Sequence, residues 1–401
     1  MRIYCYLRMF PMKGTPLKHG MHKAVHGLAA GLVRAGAKVT VLCEGPETGG
    51  TAMAEGYDIR CFAEKHKNPT FKISEGIKRF VEEEMEAGVA ILNGIFSPSI
   101  ASLARLLQRK GMPYVIAPHD PYHPEIFNKQ KLKKRLYWHL VERPMLQKAM
   151  AVQVLDERHR DFLRKLNVST PVIPQPNGFL PEEAKFEPTP LPDGDAKFLF
   201  MGRLDAHNKG LDLLLDAFGG LTLIDGVKLT LQGPHTGDVP MLKEKCQAVS
   251  LRDRVRILEP DYSRSSPAVV SDHHVFCLPS RFEGFGLAAL EAMLAARPVL
   301  VSDVSGIAPH VRAARCGVVV DSKVNSIRGG IREMLACKDQ WAAMGQRGRE
   351  YVMAKLKWET IAEDSLKAYR KFGGAVLPTE AELSLKMGIP PKRELLEQHQ
   401  A

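Results

Sequence analysis

The sequence predicts an α/β protein built as two doubly wound domains, each a parallel sheet with helices on both faces. Three observations carry this. Short apolar, β-branched runs alternate with amphipathic helical stretches through most of the chain, the pattern of βαβ units. Near the middle the alternation is broken by a stretch dense in proline, with Pro171, Pro174, Pro176, Pro181, Pro188, Pro190 and Pro192. And 401 residues exceed what one hydrophobic core comfortably organises, so two domains are expected.

In the first half a strand over Met1 to Leu7 leads into a loop through Phe10 and Gly14 to Pro16, then a helix from Met21 to Ala35 that Gly36 stops. Strands follow at Lys38 to Cys43, Val89 to Leu92 and Tyr114 to Ala117, with a helix over Ser97 to Arg109. After the linker come strands at Phe198 to Met201, Lys228 to Gln232, Val255 to Leu258, His274 to Leu278 and Val299 to Ser302. Beyond Asp339 the pattern is helical through Trp341, Tyr351, Trp358 and Tyr369. The expected domains are therefore 1–190 and 191–357, and the polar stretch 377–401 is expected to form a mobile tail.

Residues 276–303 read as strand, glycine-bearing loop, helix and strand, with Glu283 in the loop and Glu291 in the helix. In an open parallel sheet the ligand lies beyond the carboxyl ends of the strands, so Glu283 faces it. Eight residues further on, Glu291 falls about two turns along and about 80° round the axis. Both carboxylates therefore address one ligand. Carboxylates suit vicinal hydroxyls, and the amides of Phe285, Gly286 and Leu287 at the helix start suit a phosphate. Hydroxyls at two places with a diphosphate between them describe a nucleotide sugar.

Here the chain resembles the retaining glycosyltransferases of the GT-B fold, group 1 or GT4 class, whose signature is a glutamate pair with seven residues between. A second match strengthens it: residues 197–218 carry Gly202-Arg203-Leu204, a loop, and Lys209-Gly210 at the next helix. The resemblance implies two Rossmann-like domains facing a cleft, with Arg203 and Lys209 holding the donor diphosphate, Glu283 the donor sugar and Glu291 the ribose. It also implies that a last helix, roughly 358–376, returns across the cleft onto the first domain. Val172 to Gly178 looks like the family's Val-Ile-Pro-Asn-Gly with Gln175 and Pro176 inserted, a displacement expected to reach Asn177. His19-Gly20 stands where the family has paired glycines, so Gly20 or Gly14 is expected at the donor or acceptor. Pro118-His119-Asp120 ends a strand where many of these enzymes carry a histidine facing the donor sugar, which singles out His119; Asp120 either orients its ring or belongs to a turn with Pro121.

Three other readings compete with this one. Gly284 to Ala289 fits the Gly-x-Gly-x-x-Ala dinucleotide fingerprint of an NAD-dependent oxidoreductase, but Pro279 to Glu283 intervene after the strand and a glutamate beside a pyrophosphate repels it. A GT-B nucleotide-sugar epimerase shares the architecture and stays open. A nucleic-acid-binding role has the basic surface but no recognised motif. Asp193-Gly194-Asp195 mimics a metal-chelating pair, yet its linker position reads as a turn; no cofactor and no catalytic metal are expected, the nucleotide sugar, UDP- or GDP-linked, being co-substrate. The seven cysteines, scattered without a Cys-x-x-Cys pair, read as reduced.

Net charge is +11. Residues 1–190 hold 28 Lys and Arg against 19 Asp and Glu, so the basic excess lies in the first half, densest over 129–148. There Leu132, Leu136, Leu140 and Leu146 recur at near-helical spacing with Tyr137 and Trp138 between them. A solvated helix, a contact with anionic lipid and a nucleic-acid surface compete for this segment. Lipid contact suits an acceptor glycan that is membrane-linked. No stretch approaches 18 apolar residues and the start does not read as a signal peptide, so a cytoplasmic protein is expected, peripheral on the membrane's inner face if the lipid reading holds.

Overall fold

The computed structural model describes residues 1–373 apart from 16, 18, 65–69, 121, 124–126, 128–130 and 222–225. The expected tail 377–401 and the start of the basic segment lie outside the described residues. The first sheet has eight strands: β1 (Arg2–Tyr6), β2 (Lys38–Gly45), β3 (Gly49–Ala52), β4 (Asp58–Ala63), β5 (Val89–Asn93), β6 (Tyr114–Ala117), β7 (Ala151–Val154) and β8 (Val172–Pro174), in the order β3-β4-β2-β1-β5-β6-β7-β8. All pairings are parallel except β3 with β4. The second sheet has six parallel strands: β9 (Ala196–Met201), β10 (Val227–Gln232), β11 (Val255–Leu258), β12 (Val275–Leu278), β13 (Val299–Ser302) and β14 (Gly317–Val320), in the order β11-β10-β9-β12-β13-β14. In each sheet the order reverses beside the first strand of the half, β1 or β9, and such switch points open a crevice at the strand ends.

Buried on both faces, the central strands are continuous apolar runs such as Val89–Leu92 and Val299–Val301. Two clusters line the two faces of the first sheet and a third fills the second domain. The face of the first sheet that carries helix Gly20–Arg34 is completed from the far end of the chain, because Trp358, Ile361, Ala362, Leu366 and Tyr369 of helix Trp358–Gly373 belong to its core. Gly27 and Gly31, one helical turn apart, make this possible. A Cβ on Gly27 would lie 2.0 Å from Trp358 Nε1, and one on Gly31 2.5 Å from the Trp358 carbonyl oxygen.

The inserted Gln175 has a role in the same contact. Its Oε1 accepts from Ser365 Oγ at 3.1 Å and from the Gln153 amide, which also reaches the Tyr369 hydroxyl. A buried amide network thus fastens the returning helix to the end of the first sheet. The proline-rich linker is fastened to the second domain instead: buried Arg297 donates to the carbonyls of Thr189 at 3.0 Å and Pro190 at 3.1 Å. Asp193 to Asp195 form a bend in which Gly194 has φ 86°, and Asp195 lies 3.8 Å from Lys228.

The basic segment is helical over Lys131–Tyr137 and Arg143–Lys148 with a wider turn, Trp138–Glu142, between. Its aromatics do not face outward as interfacial anchors would. Trp138 is buried against Tyr122 and Phe127, ring centroids 5.3 and 5.6 Å away, and Leu146 is also buried. The leucines at the three earlier positions point to solvent, Leu132 at 83%, Leu136 at 60% and Leu140 at 65% exposure. Among the described residues no helix is long and apolar enough to cross a membrane, and all seven cysteines are free thiols.

Candidate active site

A cavity of about 640 Å³ lies between the carboxyl ends of the two sheets and is lined by both halves. The first contributes Gly20, Lys23, His119, Asp120 and Asn177; the second contributes Arg203, Lys209, Glu283, the helix start at Phe285 to Leu287, and Glu291. Gln175 and Pro176 therefore do not displace Asn177 from the cleft. Gly14 is the exception: it sits in an exposed turn and does not line the cavity, and among the described residues of the loop it is Leu17 and His19 that reach the cleft.

The second-domain wall grows from two strand ends. β9 stops at Met201 and the chain turns through Gly202 to Lys209, whose Nζ lies 2.7 Å from Glu283 Oε2 with both side chains under one-fifth exposed. Ser280 Oγ donates to the same oxygen at 3.2 Å. Arg203 stands exposed at the cleft mouth. Gly286, at φ 103°, caps helix Leu287–Leu294, in which Ala289 and Leu290 donate to its carbonyl. The amides before Ala289 precede the first intrahelical bond, and their residues line the cleft, the placement of helix starts that bind anions.

Glu291 is buried and paired with Lys23 Nζ from the first domain's helix Gly20–Arg34. Burial works against the Lys23 ammonium, but the Glu291 carboxylate outweighs it and holds the amine's pKa above its ordinary value. The family resemblance did not single out Lys23. The signal was present: it follows Gly20 by three residues, so the helix puts both on one face.

On the first-domain side His119 lies two residues past the end of β6 with φ 61°, and its Nε2 lies 2.7 Å from Asn93 Oδ1. Burial lowers its pKa to about 4, so the ring is neutral near pH 7. Asp120 opens onto the cleft; burial, then the Glu283 carboxylate, raises its pKa against the opposing pull of Lys209 and Arg203. Groups from both halves thus share one electrostatic environment. Behind them buried Glu142 accepts from the Phe96 amide at 3.0 Å and the Tyr122 hydroxyl at 2.7 Å, tying the segments after β5 and β6 to the basic helices. Among the described residues no group of three or more His, Cys, Asp or Glu is arranged to hold a metal ion.

Two doubly wound domains, a helix that returns to the first, and a cleft lined by paired carboxylates and cations define the GT-B class of architecture. Residues 19–178 match the family model for the glycosyl transferase 4-like domain and residues 181–351 that for glycosyl transferases group 1. The chain belongs to the group 1 glycosyltransferases. Over 165 residues it is 30% identical to the GDP-mannose-dependent alpha-(1-6)-phosphatidylinositol monomannoside mannosyltransferase of Mycobacterium tuberculosis, covering 38% of this chain and 42% of that protein. The matched segment thus spans under half the length of this curated relative. Sucrose-phosphate synthase from Thermosynechococcus elongatus superposes with a TM-score of 0.72 at 21% identity, over 93% of this chain and 99% of that one. The Anabaena protein Alr3699/HepE, solved in complex with UDP, gives 0.69 at 16% identity over 92% of this chain and all of its own. At these identities the structural likeness is one of fold.

Proposed function

We propose that this protein transfers a sugar from a nucleotide-sugar donor, bound to the second domain, to an acceptor held against the basic first domain, with retention at the anomeric carbon. The observation that carries this is the convergence of Arg203, Lys209, Glu283, Glu291 and the free amides at Gly286 on one cavity. Glu291 takes the ribose hydroxyls and Glu283 the donor-sugar hydroxyls. Arg203, Lys209 and the helix start take the diphosphate, whose charge grows as the glycosidic bond breaks. The acceptor oxygen bonds to the anomeric carbon on the face the diphosphate leaves, and its proton passes to a departing phosphate oxygen. No protein nucleophile enters, and with two cations at the phosphates no metal is needed.

The donor is a UDP- or GDP-sugar: one relative is named for GDP-mannose and one structural neighbour was solved with UDP. The acceptor is a glycan or a lipid-linked sugar. Membrane contact through residues 129–148 is part of this reading and rests on the outward stripe of Leu132, Leu136 and Leu140 flanked by Lys133, Lys134 and Arg135, the arrangement of a helix lying in an anionic interface.

Thermal-shift measurement with UDP, GDP, ADP and their sugars tests donor binding, since a ligand of the native state raises the melting temperature by mass action. One nucleotide series is expected to stabilise the protein, with turnover of the matching donor giving a product of unchanged anomeric configuration. No shift with any nucleotide, or an inverted product, overturns the reading.

A further inference from the structure

Asn93 is the last residue of β5 and is buried, with its side chain reaching between two neighbouring strands. Its Nδ2 donates to the Tyr6 carbonyl on β1 at 3.0 Å and, more weakly, to the Ile91 carbonyl at 3.4 Å. Carbonyls only accept, so the amide nitrogen must face them, and Oδ1 is the atom left for His119. An amide oxygen can only accept as well. The 2.7 Å contact therefore requires a proton on His119 Nε2, and in a neutral imidazole that leaves Nδ1 as a lone-pair acceptor.

We infer that Asn93 is a positioning residue that locks His119 in its Nε2–H tautomer, so that Nδ1 accepts a hydrogen bond from a sugar hydroxyl in the cleft. The inference rests on the sugar-transfer reading for the identity of that hydroxyl, but the tautomer itself does not. His119 works as an acceptor only while it is neutral. Its surroundings keep it so: burial dominates, although Asp120 is its chain neighbour and His159 lines a small cavity with it. Across the cleft, Glu283, Arg203 and Lys209 face the same space. An imidazolium would donate from both nitrogens and lose the acceptor.

The test uses the full chain with nitrogen-labelled histidine. In the wild type, nitrogen NMR without any substrate is expected to give a protonated Nε2 and a pyridine-like Nδ1 for His119. Asn93→Leu should show mixed tautomers and lower kcat on the order of a hundredfold, the scale of a misoriented site group. Asn93→Asp keeps an acceptor for Nε2–H but adds a negative charge that raises the imidazole pKa. Relative to its own alkaline plateau, its activity should fall on acidification through the raised pKa, a limb that in the wild type lies only near pH 4. A protonated Nδ1 in the wild type, or superimposable pH profiles for wild type and Asn93→Asp, overturns the inference. Should the sugar-transfer reading fail while the tautomer is as expected, NMR shows the lock and donors show no turnover, so the two failures are distinguishable.

Discussion

Replacing Lys209 by alanine should do more than remove one cation. Lys209 Nζ is 2.7 Å from Glu283 Oε2, with 19% and 14% of the two side chains exposed, so truncation also strips a largely buried carboxylate of its charged partner. Ser280 alone remains on that oxygen. Loss of one transition-state charge donor costs about 2.7–4 kcal/mol, which is roughly a hundred- to a thousandfold in kcat. Breaking a fully buried pair from one side costs about 3–5 kcal/mol of stability; with residual exposure at both partners, about 1–3 kcal/mol is the better figure here. Arg203 is exposed at the cleft mouth, so Arg203→Ala should cost about tenfold in kcat and leave stability unchanged. Single-turnover transfer at saturating donor reads the first quantity and denaturant melts the second. In Lys209→Met with Glu283→Gln the stability losses should fail to add, with a coupling of about 0.5–3 kcal/mol. Full turnover in Lys209→Ala, or strictly additive losses in the pair, refutes the reasoning.

Glu291→Gln should weaken calorimetric binding of the free nucleoside diphosphate as well as the donor, whereas Glu283→Gln should chiefly lower turnover; equal loss of diphosphate affinity in both would exchange or merge their roles. Chelation with EDTA should leave transfer intact, as should substituting Asp193 and Asp195 by Asn, and activity restored only by magnesium or manganese would contradict this. Replacing Lys133, Lys134 and Arg135 by Gln should weaken sedimentation with anionic vesicles, since each basic residue near such a surface contributes about 1 kcal/mol, and salt should weaken the wild type too. Wild type that ignores anionic vesicles at low salt would make this helix merely solvated. His119 and His159 both fall by burial from 6.5 to about 4, so the unfolded chain takes up protons there that the folded one refuses. Their contribution to stability is complete above about pH 6.5 and is lost progressively down to about pH 4. Melts that are flat across that window would count against buried neutral rings.

Most of the fold was readable because parallel strands announce themselves as apolar runs. Tyr114–Ala117, Val255–Leu258 and Val299–Ser302 begin and end where the periodicity puts them. β3 and β4 were harder to read: Gly49–Ala52 has no apolar face, and the alternation of Asp58–Ala63 breaks after four residues, where Cys61 and Phe62 are both buried. Arg203, Lys209, Glu283 and Glu291 could be picked out because they sit at fixed offsets from glycines and strand ends. Lys23, three residues after Gly20, and Asn93, at the end of β5, have comparable offsets, but nothing local names their partners, because each acts on a residue far along the chain, Glu291 and His119. Trp138 misled for a related reason: an aromatic in a basic helix has the same signature whether it seats in lipid or in the pocket of Tyr122 and Phe127.

The core built on helix Gly20–Arg34 contains Trp358 and Tyr369, which fixes an order of events during synthesis. Residues 1–180 leave the ribosome with that apolar face open, and at about 5–20 residues per second the helix that covers it arrives roughly 10–40 s later. The second domain, whose strands and core are contiguous in sequence, can close in that interval. Chains arrested just after residue 180 should accordingly be cut by protease within the first sheet, while arrest after residue 373 has emerged should protect it. The half made first is the half finished last, and for those seconds its exposed face is the surface a nascent-chain chaperone would meet.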